Sequence, residues 1–175
     1  PYDVMLILNR FFFEMSEALK ATNGHYANFN GDGLMALYGL ESGYETGCRE
    51  AIAGAVEMHR RMDRLNHSFE SELGRKLRIG VGIHSGEAIV GTMGPPARPI
   101  LSSIGDNVNI AARLESLTKD FDCGIVISAD TAKQARVDLS NFPISDAELR
   151  GRDETITIYK LPEDADPFAE GKMSA

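Results

Sequence analysis

Asn109 and Arg113 stand four positions apart in the run Val108-Asn109-Ile110-Ala111-Ala112-Arg113-Leu114. That spacing puts both on one face of a helix, beside the apolar stripe of Ile110, Ala111, Leu114 and Leu117. An amide can orient a ribose or another hydroxyl, and a guanidinium can neutralise charge developing on phosphorus during phosphoryl transfer. The plain alternative is an arginine at a helix edge in a surface ion pair. Asp32 lies between Gly31 and Gly33, where missing side chains let a divalent metal or another ligand approach the carboxylate. Its alternative is Asp-Gly as ordinary turn chemistry. Arg150-Gly151-Arg152 sets two cations beside an exposed backbone, which suits a polyphosphate tail and equally the solubilising charge of many hairpins. His59 and His84 are isolated, without metal-ligand spacing, and take packing or surface roles. Gly80, Gly82 and Gly86 do not complete a GxGxxG, and neither a phosphate-binding GxxxxGK loop nor a GxSxG elbow occurs. Dinucleotide-fold, P-loop and hydrolase readings therefore lose their best support.

These residues need a frame. Tyr2 to Thr22, apolar at Val4, Leu8, Phe11, Phe12, Met15 and Leu19, predicts a helix closed by Asn23-Gly24. Tyr26 to Phe29 and Leu34 to Tyr38, joined through Asn30-Gly31-Asp32-Gly33, predict a hairpin with Asp32 at its tip. A second helix from Glu45 to Phe69 turns Ala51, Ile52, Ala55, Val56, Met58, Met62 and Leu65 inward and Arg60, Arg61 and Arg64 to water. Leu77 to Val90 is β-rich with close-packing glycines, and Gly94-Pro95-Pro96 breaks it. A strand from Arg98 to Ser103 runs into Ile104-Gly105, with Asp106 the predicted N-cap of a third helix through Thr118. A strand over Asp122–Ser128, a short helix over Ala129–Val137, and strands near Ile144–Leu149 and Thr155–Tyr159 around a turn at Gly151–Asp153 complete the chain. The order αββαββαβαββ predicts an α+β fold with one mainly antiparallel sheet covered by helices. Residues 1–162 form one domain, and the acidic, small-residue stretch 163–175 reads as a flexible tail. A split β-α-β unit would place a strand ahead of the first helix, and this chain starts inside that helix.

Composition narrows the classes. A chain of 175 residues has room for one sizeable core. Its 18 Lys and Arg against 26 Asp and Glu give a net charge of -8, the wrong sign for gripping nucleic acid. Anionic ligands must therefore be held by a few local cations, backbone N–H groups or metal ions. Cys48 and Cys123 form neither a disulfide framework nor a zinc motif, and no apolar run approaches the roughly 18 to 20 residues of a membrane span. The expected setting is the reducing cytoplasm, with no membrane contact by this domain.

Taken together, Leu8-Asn9-Arg10-Phe11-Phe12, Asn23-Gly24, Phe29-Asn30-Gly31-Asp32-Gly33-Leu34-Met35-Ala36, Ile83-His84-Ser85-Gly86-Glu87, Ile104-Gly105-Asp106-Asn107-Val108-Asn109-Ile110-Ala111-Ala112-Arg113-Leu114-Glu115 and Leu149-Arg150-Gly151-Arg152 resemble a class III nucleotidyl cyclase over nearly the whole chain. The resemblance implies a ferredoxin-like palm that dimerises head to tail, with sites built from both chains. It implies conversion of ATP, less often GTP, to the 3′,5′-cyclic monophosphate and pyrophosphate, using two Mg²⁺ or Mn²⁺ ions held by two aspartates. Asp32 matches the second of those aspartates, Asn109 the ribose-positioning residue and Arg113 the residue that stabilises the transition state. Arg150 falls where the family usually has a lysine for the terminal phosphates. The first metal aspartate belongs to the strand before the first helix, and a leading segment is expected to supply it. Asn28 stands at the position of the base-selecting lysine, and an amide there chooses neither purine by itself. Ser102 stands where an Asp or Thr completes adenine recognition, and its hydroxyl can accept from the adenine amine, which favours ATP. The alternatives are a cyclase using GTP and a non-catalytic cyclase-homology module for dimerisation or nucleotide sensing. A diguanylate cyclase would need an acid after Asn30-Gly31-Asp32-Gly33, and none follows.

Overall fold

The threes-and-fours rhythm at the start of the chain forms helix α1 (Tyr2–Ala21), which buries Met15, Ala18 and Leu19. The computed structural model describes residues 2–30, 33–97, 99–148 and 155–169. Asn23, at a left-handed φ of 57°, turns the chain out of α1, and the Gly24 N–H donates to the Leu19 carbonyl at 2.9 Å. Strands β1 (His25–Asn30) and β2 (Gly33–Leu37) pair antiparallel down to Asn30 opposite Gly33, so the predicted hairpin forms. Gly31 and Asp32 lie outside the described residues.

Helix α2 (Tyr44–Leu73) overruns its predicted end and stops at Gly74, whose φ of 60° costs a glycine little. It carries two buried stripes. Ile52, Ala55 and Val56 face the central sheet, and Met58, Met62, Leu65 and Phe69 meet α1. Arg60 and Arg64 are exposed as expected, but Arg61 is not: its side chain is 19% exposed, 3.0 Å from Glu14 and 2.8 Å from Glu57. Two carboxylates at the α1–α2 seam draw this cation inward.

Three strands follow where the predicted order has two: β3 (Val81–Ile83), β4 (Ile89–Met93) and β5 (Ile100–Ile104). The β-rich stretch starts late because the Asn66 side chain takes both backbone groups of Leu77, at 2.8 and 2.9 Å, leaving none there for a ladder. Then come α3 (Asp106–Asp120), β6 (Ile125–Ser128), α4 (Ala129–Ala135), β7 (Ile144–Glu148) and β8 (Thr155–Leu161). Leu149 to Glu154, with the predicted final turn, lie outside the described residues, as does Arg98.

The fold is α+β and its pairing mainly antiparallel, as expected. Among the described residues, however, the strands form three sheets rather than one: β3-β6-β8-β7, with β3 and β6 parallel, and the ribbons β1-β2 and β4-β5. Leu34 and Ala36 of β2 and Val81 of β3 rest on the same α1–α2 cluster, although no ladder joins the two strands. Strand β6 is buried along its whole length, with Ile125 and Ile127 against α2 and α4 and Val126 beneath Leu114 and Leu117 of α3.

The flexible tail expected from residue 163 is docked as far as Ala169. Ala165 sits in the core cluster, Phe168 lies 5.0 Å beneath the Arg49 guanidinium, Asp166 pairs with Arg60, and Glu163 meets Arg78 at 2.6 Å. Residues 170–175 lie outside the described residues.

Gly82 lets α3 lie directly on β3. A Cβ there would meet the backbone nitrogen of Glu115 and come within 2.5 Å of the Ala111 carbonyl oxygen. Backbone cannot swing aside as a side-chain tip can, so Gly82→Ala is expected to cost about 1–3 kcal/mol of stability. The urea midpoint measures it, with Gly91→Ala as control. Gly91 has nothing within 4 Å of the added carbon. Its replacement is expected to change stability by less than about 0.5 kcal/mol.

Candidate functional site

Helix α3 is held on one face and at both ends. Leu114 and Leu117 fix the buried face on Val126 and Ile158. At its start the cap is Gly105, at φ 154°, so the predicted cap Asp106 is instead the first helical residue. At its end the Phe121 N–H donates to Leu117 and the Cys123 N–H to Thr118, both at 3.0 Å. The outward face presents Asn109, exposed, and one turn on Arg113, half-buried.

Arg113 is the unusual cation. Arg61, also largely buried, has two carboxylates, and Arg60, Arg64, Arg78 and Arg136 each have at least one. Arg113 takes part in none of the ion pairs among the described residues, and its Nε is buried with no hydrogen-bond partner. The surface ion pair offered as the plain alternative is therefore not found there. A guanidinium held without a counter-charge is suited to an anionic ligand.

Ser102 and Ser103 alternate across β5. Ser103 Oγ donates to Met35 Sδ of β2 at 3.4 Å, which ties the ribbon to the hairpin. Ser102, opposite Gly91, is on the other face with the pairs Ile89–Ile104 and Met93–Ile100. Those four side chains are exposed, Ile89 at 76% and Ile104 at 56%, so Ser102 sits in the middle of an open apolar ribbon. Asn28 is opposite Met35 in the β1–β2 ladder, but its side chain is not described. Asp32 and Arg150 lie outside the described residues, so no distance relates them to α3. The hairpin packs on α1 and β5, whereas α3 packs on β3 and β6.

A line of polar side chains runs behind α3. Asn107 Nδ2 donates to the Glu87 carbonyl at 2.8 Å, and its Oδ1 lies 3.1 Å from His84 Nε2. His84 Nδ1 is 2.9 Å from Ser128 Oγ, Ser128 is 2.7 Å from Thr131, Thr131 donates to Ser85 at 3.0 Å, and Ser85 meets Tyr44 at 3.1 Å. Burial holds the His84 pKa below its ordinary value, against the opposing pull of the Asn107 bond and the Asp130 charge. An isolated histidine without metal-ligand spacing predicts only a packing or surface role for His84. Its partners are 23 and 44 residues away, and nothing in their spacing announces them. His59, by contrast, is a packing residue, buried with Nε2 3.0 Å from the Gly124 carbonyl oxygen. Cys48 packs in the core and Cys123 beneath α3, and burial pushes both thiols up.

Among the described residues no group of three or more His, Cys, Asp or Glu side chains is placed to hold a metal ion. No helix among the described residues is long and apolar enough to cross a membrane.

A family model described as the adenylate and guanylate cyclase catalytic domain matches residues 1–162. An adenylate cyclase of Anabaena cylindrica is 30% identical over 168 residues, covering 92% of this chain and 32% of that protein. Adenylate cyclase 1 of Rhizobium meliloti is 27% identical over 161 residues, covering 92% of this chain and 24% of that protein. The chain thus spans a third or less of the length of these two relatives. Among solved structures, the guanylyl cyclase Cya2 superposes with a TM-score of 0.80 at 28% identity, covering 92% of this chain and 81% of that one. The adenylyl cyclase CyaB from P. aeruginosa gives a TM-score of 0.77 at 24% identity, a likeness of fold, covering 92% and 83%. The architecture is accordingly the ferredoxin-like palm of cyclase catalytic domains.

Proposed function

Because this chain belongs to the adenylate and guanylate cyclase catalytic-domain family, we propose that it converts ATP to 3′,5′-cyclic AMP and pyrophosphate in a homodimer, each site being shared by two chains. The observation that carries the reading is Arg113, a half-buried guanidinium with no counter-charge among the described residues, one turn from Asn109 on the open face of α3. In this reading the Asn109 amide holds the ribose so that its 3′-hydroxyl faces the α-phosphorus. The 3′-oxygen bonds to that phosphorus as the hydroxyl proton passes to solvent water, the bond to the bridging oxygen of the β-phosphate breaks, and pyrophosphate departs. Arg113 neutralises the charge that grows on the α-phosphoryl oxygens. Arg150 is assigned to the terminal phosphates.

Cyclases of this family generally use divalent ions, and we assign Asp32 as one carboxylate ligand of two Mg²⁺ or Mn²⁺ ions. When bound, such ions lower the pKa of the attacking hydroxyl and screen the triphosphate. One carboxylate cannot neutralise both. The second is assigned to a strand ahead of α1, a reading supported by β2 and β3 resting on one apolar cluster without a ladder between them.

Two observations support the shared site. The apolar ribbon around Ser102 is of the kind a second copy covers, and a two-fold axis would cover it in both chains at once. Ser102 on that face would contact the base at the interface. Within one chain the hairpin and α3 belong to different packing units. Cys48 and Cys123 are unpaired, in keeping with a cytoplasmic setting. GTP is the second reading, favoured by the likeness to the guanylyl cyclase Cya2. Incubating the full-length protein with Mn²⁺ and either nucleotide decides between them: cyclic AMP is the expected product, cyclic GTP alone would reverse the base assignment, and no cyclic product from either would leave the non-catalytic module.

A further inference from the structure

We propose that His84 is a positioning residue for Asn109 and Arg113, its Nε2–H holding the Asn107 side chain and so fixing the first turn of α3 against the central sheet. The direction of the bonds follows from proton counting. Asn107 Nδ2 is committed to the Glu87 carbonyl at 2.8 Å, which leaves Oδ1 as the atom facing His84. Oδ1 only accepts, so Nε2 carries the proton, and the other ring nitrogen, Nδ1, lies 2.9 Å from Ser128 Oγ. The ring thus bridges two elements that differ in rigidity. Ser128 is the buried end of β6, the central strand, and Asn107 is the second residue of α3. Gly86 lies close against the Asn107 amide, since a Cβ added there would come within 2.5 Å of the amide carbon. Asn109 follows Asn107 by two residues and Arg113 by six, within the same rigid helix, so a tilt of the first turn moves both. Displacements of this kind affect turnover more than ground-state binding.

The role separates cleanly by substitution. In His84→Gln the side-chain amide nitrogen reaches the Nε2 position and still donates to Asn107. In His84→Asn the shorter amide reaches only the Ser128 side. The activity arm rests on the cyclase reading above; a second arm, amide hydrogen exchange over residues 106–109 of the full chain, does not. His84→Asn is expected to lower kcat roughly tenfold to a hundredfold with KM within about twofold. It is also expected to speed exchange over residues 106–109 by at least about tenfold, while exchange in β6 stays unchanged. His84→Gln is expected to stay within about threefold of the unmodified chain in both readouts. The proposal is overturned if His84→Asn matches the unmodified chain in exchange, or if His84→Gln falls as far as His84→Asn. Should the unmodified chain form no cyclic nucleotide, the cyclase reading fails by itself, and the exchange comparison still decides the role of His84.

Discussion

Arg113→Ala is expected to reduce kcat by roughly 10²- to 10³-fold while KM for the nucleotide changes by less than about threefold. The asymmetry follows from where charge appears. In the ground state the triphosphate is already neutralised by its ions and by the cation assigned to its end, so a further guanidinium near the α-phosphoryl group adds little. As the 3′-oxygen closes on phosphorus, negative charge grows on the equatorial oxygens, and a half-buried cation with no ion-pair partner among the described residues needs little reorganisation to meet it. The buried, unpartnered Nε of Arg113 places the group in that condition before any ligand arrives. Removing it should leave the fold intact, because no ion pair among the described residues depends on it. Arg113→Lys should recover only part of the loss, since a point charge does not reproduce the planar fork. Steady-state formation of cyclic product at varied nucleotide checks the split. A normal kcat in Arg113→Ala would return Arg113 to a surface role.

Asp32→Ala is expected to abolish detectable turnover and remove the Mg²⁺ or Mn²⁺ dependence of nucleotide binding. With two glycines as neighbours in the sequence, Asp32 brings a hard oxygen ligand that suits these ions. A metal held between this carboxylate and the phosphates couples the two affinities, so deleting the carboxylate uncouples them. Nucleotide titrations with and without Mn²⁺ measure the coupling. Unchanged metal dependence in Asp32→Ala would make Asp32 a turn residue and nothing more.

The features legible in the sequence are those that depend on near neighbours. The hairpin around Asn30-Gly31-Asp32-Gly33, the end of α1 at Asn23-Gly24 and the shared helix face of Asn109 and Arg113 follow from local periodicity and turn chemistry. The grouping of strands was not legible, because it depends on which edges meet: β2 and β3 share an apolar cluster without a ladder between them. The docking of residues 163–169 was hidden by acidic composition, since two side chains, Ala165 and Phe168, anchor the segment. Arg61 read as one of a solvated trio, and only the approach of α1 supplies Glu14. The chain of contacts through His84 joins residues from four separate stretches, so no window of sequence contains it. At the candidate site, the sequence singled out Arg113, but its lack of a counter-charge among the described residues is a property of the folded surroundings.

The central claim is that a carboxylate at one chain's hairpin tip and the amide–guanidinium pair of a second chain serve one nucleotide. Mixing two inactive variants, Asp32→Ala and Arg113→Ala, tests it. In a mixed dimer both lesions fall in one of the two sites, and the other contains Asp32 from one protomer with Asn109 and Arg113 from its partner, all intact. With random pairing and equal amounts, half the dimers are mixed and each has one working site, so activity should return to about a quarter of the unmodified level. Recovery near that fraction is the predicted result. A mixture as inactive as its two components, with subunit exchange demonstrated, would contradict the account.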